Sequence, residues 1–276
     1  MQRVIGEFDG RFDFLDLPDP NVMVLEDVRW DSFEHPLTPA FWVAQSWLSG
    51  NAPKEEFQLG RSLEEEVVYC LLGGYGNPAE IGLAAARRMC SALPELCDAK
   101  FEPSSLEKML ARPLTLAKRS VRYRFAAQRA KYLAGALTAL SAIDEADLGD
   151  VALRERLRNL PGIGFKTASW IVRNRRASDE VAILDVHIVR ACKIMRIFPR
   201  GADPARHYLD LERRFLEFCR RTGSAASRMD AVMWSTMRAI SQRLMQQLVD
   251  ADGVLRKSSE NNLSVDSHVR LERLAG

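Results

Sequence analysis

The chain has 276 residues, of which 47% are hydrophobic and 28% are charged, and its formal net charge is +2. This composition excludes a disordered chain, and no stretch approaches the ~18 consecutive apolar residues that predict a membrane span. The first residues lack the apolar segment of a secretion signal. The sequence therefore predicts a cytoplasmic protein that is not secreted, associated with the nucleoid if its source is prokaryotic.

Residues 1–60 form a distinct region, in which VIGEFDGRFDFL and NVMVLEDVRW alternate loosely and predict short β-strands or extended segments. Helical patterning begins at Ser62, which forms an S-x-x-E capping box with Glu65 ahead of the apolar run VVYCLL. Glycine, asparagine and proline at 73–78 end this helix. Further helices are predicted at 79–93, 104–111, 125–143, 148–160, 165–174, 185–197, 205–221 and 227–245. The predicted fold is mainly α, with a short N-terminal region that contains β-strands.

Charge is distributed unevenly along the chain. Residues 1–111 have a net charge of −10, whereas residues 112–176 have a net charge of +9. A basic segment of this kind favours a polyanionic partner such as a nucleic acid, unless its charges mix with others on the folded surface. The five cysteines include no C-x-x-C pair, and Cys192 and Cys219 cannot supply the four closely spaced ligands of an iron–sulfur loop. No metal and no cofactor are predicted.

The segment LPGIG at 160–164 separates two predicted helices. Pro161 ends the first helix, and Gly162 and Gly164 allow the positive φ angles of a tight hairpin. The start of the next helix presents unpaired backbone N–H groups and the positive end of the helix dipole. A phosphate is the natural occupant, which predicts that Gly162, Ile163 and Gly164 contact a DNA backbone. The alternative is a turn with a structural role only.

Lys166 lies in the first turn of the helix after the hairpin, beside apolar Phe165 and Ala168. A lysine near the positive end of a helix and removed from water has a lowered pKa, which makes its neutral amine available as a nucleophile. Asp185 follows the apolar run VAIL and opens the helix VHIVR, where a carboxylate acts as an N-cap. The alternatives are an ordinary surface lysine and an aspartate that only caps its helix.

The stretch LPGIGFKTASWIVRN, followed by AILDVHIVR, resembles the helix-hairpin-helix and Gly/Pro-Asp signature of the HhH-GPD superfamily of DNA glycosylases. Within it, the resemblance is strongest to the bifunctional 8-oxoguanine DNA glycosylase/AP lyases. This implies two helical subdomains that flank a DNA-binding cleft. The predicted organisation is an N-terminal extension at 1–60, a helical subdomain at 61–176 that ends in the helix-hairpin-helix, and a second helical subdomain at 177–276 that carries Asp185.

The resemblance also implies a reaction. Lys166 is the Schiff-base nucleophile that attacks C1′ of the damaged nucleoside and displaces the base, and Asp185 stabilises the developing oxocarbenium charge. β-Elimination of the 3′ phosphate then nicks the strand. The implied substrate is duplex DNA that contains an oxidised purine of the 8-oxoguanine type, and the protein is expected to act as a monomer.

Members of this superfamily extrude the target nucleotide from the duplex, so the resemblance implies a wedge and a base pocket. The wedge falls in the loop after the first core helix, where Tyr75 would stack into the duplex and Asn77 would bond the orphaned base. The residues predicted to line the base pocket are Asp230 and Trp234, which share a helix face, together with Trp170. A glycine-rich turn without DNA contact and ordinary core packing are the alternatives.

Arg129, Lys131 and His187 are predicted to contact the DNA backbone as well. The alternative for Arg129 and Lys131 is a solvated helix face, and the alternative for His187 is a structural role. Three other functions stay open: a monofunctional glycosylase, an enzyme for another modified guanine-like base, and a non-catalytic helix-hairpin-helix DNA-binding protein. Residues 1–60 lack the β-domain pattern of the eukaryotic 8-oxoguanine enzymes, so 8-oxoguanine itself is inferred only from the resemblance.

Overall fold

The computed structural model describes residues 1–50, 57–74, 76–98, 101–117, 119–249 and 255. Most of this part of the chain is helical, and its short strands pair two by two. The predicted mainly α fold, with β-strands in the N-terminal region, is therefore confirmed. Within the residues described, no helix is long and apolar enough to cross a membrane.

Two β-hairpins begin the chain. β1 (Gln2–Phe8) pairs antiparallel with β2 (Arg11–Leu17) across the turn Asp9–Gly10, in which both residues have positive φ. An Asp-Gly pair in this conformation is a favoured two-residue hairpin turn because its twist matches that of the strands. β3 (Met23–Leu25) then pairs with β4 (Val28–Arg29). The strands predicted for this region are confirmed.

The N-terminal region also contains a helix that the sequence analysis missed. α1 (Pro39–Leu48) begins after Thr38, whose hydroxyl accepts the Phe41 N–H at 3.1 Å. Threonine followed by proline is a typical helix start. Because almost all of α1 is apolar and residues such as Trp42 are fully buried, its sequence has no polar stripe from which a helical period can be read.

The helices after this region lie close to their predicted positions. In chain order they are α2 (Leu63–Leu72), α3 (Ala79–Asp98), α4 (Pro103–Ala111), α5 (Ala126–Leu140), α6 (Asp150–Arg158), α7 (Phe165–Arg176), α8 (Val186–Ile194), α9 (Pro204–Arg221), α10 (Ala226–Ala239) and α11 (Gln242–Leu248). The Ser62 hydroxyl caps α2 by accepting the Glu65 N–H at 3.3 Å. The single helix predicted at 227–245 was wrong, because Ser241 interrupts it and caps α11.

A small hairpin of β5 (Leu114–Leu116) and β6 (Arg119–Val121) was not predicted. Each of these strands has three residues, too few for an alternating pattern to be recognised.

Buried apolar side chains form two hydrophobic clusters. The first joins apolar residues between Leu63, in α2, and Val181, in the segment after α7. The second joins residues 4–44 of the N-terminal region to residues 182–237. The N-terminal region therefore packs against the last part of the chain rather than against the helices that follow it in sequence. The subdomain boundaries drawn at residues 60 and 176 stay predictions.

Candidate active site

The hairpin between α6 and α7 forms as predicted, with one difference. Gly162 has a φ of 77°, whereas Gly164 has a φ of −96° and is the N-cap of α7. The expectation of a positive φ was therefore wrong for Gly164, because the residue has the extended backbone of an N-cap. The Ile163 N–H closes the turn by donating to the Leu160 carbonyl at 3.2 Å.

Two residues of α5 hold the hairpin. A Cβ built on Gly162 would lie 2.5 Å from Cδ2 and Cγ of Tyr132, so the tyrosine ring packs directly against the glycine backbone. Pro161 packs against Gly135 in the same way, since a Cβ there would lie 2.9 Å from the proline ring. Both contacts leave no room for a methyl group, so the hairpin and α5 are matched in shape.

Replacing Gly162 with Ala is expected to destabilise the protein by about 2 kcal/mol or more, because the methyl group adds left-handed backbone strain to a clash with Tyr132. Gly201→Ala is the matched control, since a Cβ there would meet no atom within 4 Å. Its expected effect is within about 0.5 kcal/mol. Urea unfolding measures both variants, and equal stabilities would contradict the close fit of the hairpin on α5.

The N-terminus of α7 has the features of an anion site. Gly164 offers no side-chain cap, and the first turn contains no acidic residue. Gly162 and Gly164 are exposed, and a Cβ on Gly164 would meet no atom within 4 Å, which leaves space above the helix end. The side chain of Ile163 is buried and anchors the turn. Phosphate contact by the backbone of these three residues stays a prediction.

Lys166 is the second residue of α7 and is partly buried. Its Nζ lies beside the loop after α2, 3.6 Å from the place that a Cβ on Gly74 would occupy. Burial lowers the pKa of Lys166, while Asp185 and Cys70 act in the opposite direction and Arg129 lowers this pKa further. The predicted direction of the pKa change is confirmed, with burial as its main cause.

Asp185 is the N-cap of α8. Its Oδ1 accepts the backbone N–H groups of His187 at 2.8 Å and Ile188 at 2.9 Å. The predicted helix cap is therefore confirmed. Both cap bonds fall on Oδ1, so the other carboxylate oxygen takes no part in the cap, and the charge of Asp185 acts on Lys166.

Asp230 of α10 is buried, with 2% of its surface exposed. Its Oδ1 lies 3.4 Å from a guanidinium nitrogen of Arg173, and the backbone of Ile183 also interacts with the carboxylate. Neither carboxylate oxygen has a well-formed hydrogen bond among the described residues. Burial raises the pKa of Asp230 to about 7, Arg173 opposes this change, and nearby Asp185 adds to it.

Asp230→Asn is expected to change the pH dependence of stability. The folded-state pKa of Asp230 is about 7, above the ordinary value of 3.8, so folding favours the protonated acid. The stability from this group is complete below the ordinary pKa and is lost as the pH rises through the folded-state pKa. Relative to the wild type, the neutral variant is expected to gain about 1.4 kcal/mol per pH unit between roughly pH 4 and 7. Urea unfolding across this range tests it, and parallel curves would contradict it.

The two tryptophans of the predicted pocket have different surroundings. Trp234 on α10 is 39% exposed, and the guanidinium of Arg238 lies 5.0 Å from the centre of its ring. Trp170 lies one turn after Lys166 on α7 and packs against the end of α2, where a Cβ on Gly73 would be 3.1 Å from Cη2. Trp170 and Lys166 therefore lie against neighbouring residues at the end of α2, Gly73 and Gly74. Base contact by either tryptophan stays a prediction.

In the predicted wedge loop, Tyr75 lies outside the described residues. The Asn77 N–H donates to the Gly74 carbonyl at 3.3 Å, which closes a turn beside Lys166. The Asn77 side chain interacts with the Tyr123 phenol and lowers its pKa, and its buried Nδ2 has no well-formed hydrogen bond in the part of the chain described. A buried amide donor without a partner suits an acceptor on a ligand, and the wedge role of Asn77 stays a prediction.

The three other predicted backbone contacts lie at different depths. Arg129 is inside the site, where it lowers the pKa of both the Tyr123 phenol and Lys166. Lys131 is exposed on α5. His187 is in the first turn of α8, and its Nδ1 is buried with no hydrogen-bond partner among the residues described. DNA contact by these three residues stays a prediction.

A protein-family model described as 8-oxoguanine DNA glycosylase matches residues 55–224, which is more than half of the chain. The chain belongs to the 8-oxoguanine DNA glycosylase family. It is 28% identical over 81 residues to the 8-oxoguanine DNA glycosylase/AP lyase of Fusobacterium nucleatum, a match that covers 28% of this chain and 37% of the relative. The chain thus matches little more than a third of the length of that curated relative.

Two solved structures of glycosylases are also similar. One is the 8-oxoguanine glycosylase/lyase of Methanocaldococcus jannaschii in complex with a 15mer DNA that contains 8-oxoguanine, with 25% identity and a TM-score of 0.49 over 73% of this chain and 90% of that one. The other is the 8-oxoguanine DNA glycosylase of Thermotoga maritima, with 21% identity and a TM-score of 0.49 over 73% and 89%.

The site of this family member contains a buried polar group that sequence reasoning missed. Cys70 is 3% exposed and acts on Lys166, and its Sγ lies 3.7 Å from Oε1 of Glu66. Glu66 is fully buried and accepts a 2.6 Å hydrogen bond from Nδ2 of Asn174, which ties α2 to α7. The one signal in the sequence was the i, i+4 spacing of Glu66 and Cys70 on the apolar face of α2.

Proposed function

We propose that the protein is a bifunctional DNA glycosylase that removes 8-oxoguanine, or a closely related oxidised purine, from duplex DNA and then cleaves the strand. The observation that carries the proposal is the environment of Lys166. Its amine is partly buried and has a lowered pKa, it lies in the first turn of a helix without a side-chain cap, and it is within electrostatic reach of Asp185. Membership of the 8-oxoguanine DNA glycosylase family supports the same reaction.

Lys166 supplies the nucleophile. Its neutral Nζ forms a bond to C1′ as the glycosidic bond breaks, and the bonding electron pair leaves with the base, which then takes up a proton. The attacking nitrogen then loses a proton, its lone pair expels the sugar ring oxygen from C1′, and that oxygen takes up a proton, which gives the protonated imine. Loss of a proton from C2′ then allows the C3′–O bond to break, and the 3′ phosphate leaves in a β-elimination.

Asp185 stabilises the sugar as positive charge develops at C1′. A carboxylate held at the end of a helix costs little reorganisation when the charge appears, because its position is set before the substrate arrives. Its Oδ1 is held by two cap bonds, and Oδ2 lies outside the cap. The proposed role therefore uses an anion whose orientation the backbone of α8 already defines.

Asp230, Trp170 and Trp234 form the proposed base pocket. A guanine-type edge presents N1–H and N2–H₂ donors, and a carboxylate is an acceptor. Asp230 has two buried oxygens without a well-formed hydrogen bond, which is the pattern expected of an acceptor whose donors belong to a ligand. The two tryptophans would stack on the extruded ring, and Tyr75 and Asn77 would fill the space that it leaves in the duplex.

The DNA backbone is proposed to bind at the hairpin of residues 162–164 and at Arg129, Lys131 and His187. The net charge of +9 over residues 112–176 supports this surface, since phosphate contacts dominate affinity for DNA. We propose that the protein acts as a monomer, because the candidate groups all come from one chain, and that it acts on DNA in the cytoplasm.

Borohydride trapping tests the proposed function directly. Labelled duplexes are compared that contain 8-oxoguanine opposite cytosine, an abasic site, other oxidised or alkylated purines, or no lesion. The expected result is a covalent protein–DNA adduct and strand cleavage with 8-oxoguanine and with the abasic site, and neither product with undamaged DNA. The proposal is wrong if the folded protein forms no adduct with any duplex that contains an oxidised purine. Base release without cleavage would favour a monofunctional enzyme, and preference for another base would correct the substrate.

A further inference from the structure

The segment that leads to Asp185 is held by side chains of α9. The Ala182 N–H donates to Oε1 of Glu212 at 2.9 Å, and the Leu184 N–H donates to the Tyr208 hydroxyl at 3.3 Å. That hydroxyl in turn donates to the Ala182 carbonyl at 2.6 Å. Buried backbone groups need partners, and here two side chains supply what a neighbouring strand supplies in a sheet.

Two further contacts fix this segment. The backbone of Ile183 interacts with the Asp230 carboxylate, and the Asp185 N–H donates to the Ile183 carbonyl at 2.8 Å in a three-residue turn. The N–H groups of Ala182, Leu184 and Asp185 thus each donate a hydrogen bond. The place of Asp185 is therefore defined by α9 and α10 as well as by the helix that it caps.

Tyr208 also reaches the helix that carries Lys166. Its ring stacks on Phe165, with centroids 5.0 Å apart and planes at 11°. Phe165 immediately precedes Lys166 and is contacted by Arg158, whose guanidinium lies 3.5 Å from the ring centroid. Tyr208 is 6% exposed, and burial raises the pKa of its phenol, so the hydroxyl keeps the proton that it donates.

Glu212 fixes the same face of α9 to the other hydrophobic cluster. Its Oε2 pairs with Arg154 of α6, and both side chains are almost completely buried. A buried ion pair is sensitive to geometry, because separating the partners leaves an uncompensated charge. α9 is therefore held against α6, while Tyr208 bridges the start of α7 and the segment before Asp185.

We propose that Tyr208 is a positioning residue that sets the separation between Lys166 and Asp185, with its ring against the lysine helix and its hydroxyl on the aspartate segment. The inference rests on the proposed function. Base release needs the amine and the carboxylate at one sugar together, whereas imine formation on a preformed abasic aldehyde needs mainly the amine. Loss of the hydroxyl therefore impairs the first step more than the second.

Tyr208→Phe tests this, because it keeps the stacked ring and removes the hydroxyl, with its hydrogen bonds to the backbone of Ala182 and Leu184. Single-turnover base release is measured on an 8-oxoguanine duplex, and borohydride trapping is measured on an abasic duplex. We expect base release to slow by about 10- to 100-fold and trapping to change by less than roughly threefold. Tyr69→Phe is the matched control, since its hydroxyl contacts Arg87 between α2 and α3, and both of its rates are expected to equal those of the wild type.

Equal slowing of both reactions in Tyr208→Phe, or no slowing of base release, overturns the inference. If the wild type performs neither reaction, the proposed function has failed instead. Should thermal unfolding show that Tyr208→Phe does not fold, Phe165→Leu is measured in the same assays. It loosens the other side of the bridge, so the same selective loss is expected and equal slowing again overturns the inference.

Discussion

Lys166→Gln is expected to abolish the borohydride-trapped adduct with both 8-oxoguanine and abasic duplexes, and to slow strand cleavage by on the order of 10³-fold or more. The physical reason is that glutamine has no nucleophilic amine, so no imine forms and no elimination follows. The adduct is quantified by gel electrophoresis, and single-turnover kinetics give the cleavage rate.

Lys108→Gln is the control for this variant, since Lys108 is an exposed lysine on α4 and its replacement is expected to leave trapping unchanged. Stability provides a second readout. Burial disfavours the charged form of Lys166, so a neutral amide at this position is expected to leave the protein at least as stable as the wild type. Trapping that survives in Lys166→Gln would mean that another amine forms the imine.

Asp185→Asn is expected to slow base release by about 10²- to 10⁴-fold, because the neutral amide no longer stabilises positive charge at C1′. Asparagine is as good an N-cap as aspartate, so α8 keeps its cap and the change in stability is expected to stay below about 1 kcal/mol. Base release is measured in single-turnover conditions, and binding to an uncleavable duplex is measured separately.

Asp185→Ser separates charge from capping in a second way, since serine also caps a helix without a charge. Both variants are expected to bind DNA like the wild type. Asp185 raises the pKa of Lys166, so its neutralisation is also expected to move the pH profile of imine formation on abasic DNA to lower pH. Loss of DNA binding as large as the loss of rate would reduce Asp185 to a structural cap.

The helices were predictable where a polar stripe or a cap marks them. Ser62 marks the start of α2, and Pro161 and Gly162 mark the break before α7. These signals can be recognised in a sequence because each depends only on residues within one helical turn. α1 (Pro39–Leu48) gave no such stripe, since it is apolar on nearly all sides. The conformation of Gly164 was also mispredicted, because a glycine is compatible with either sign of φ and its neighbours decide between them.

The candidate site was predictable only in part. Lys166 and Asp185 stood out because a lysine in a first turn and an aspartate at an N-cap are local features. Glu66 could not be assigned to the site from its spacing to Cys70 alone, since its partner Asn174 is 108 residues away along the chain. Tyr208 gave no signal at all, because nothing in its own helix indicates that its hydroxyl serves the backbone of residues 182–184.

The sequence by itself thus determined the mainly α fold, the hairpin with its open helix end, and the lysine and aspartate that define the proposed chemistry. Only the tertiary structure decided that the N-terminal hairpins pack on the last helices, and that Asp230 is buried beside Arg173 with a pKa of about 7. The reason is physical: caps and turns depend on a few neighbouring residues, whereas burial and charge pairing depend on which distant elements meet in the folded chain.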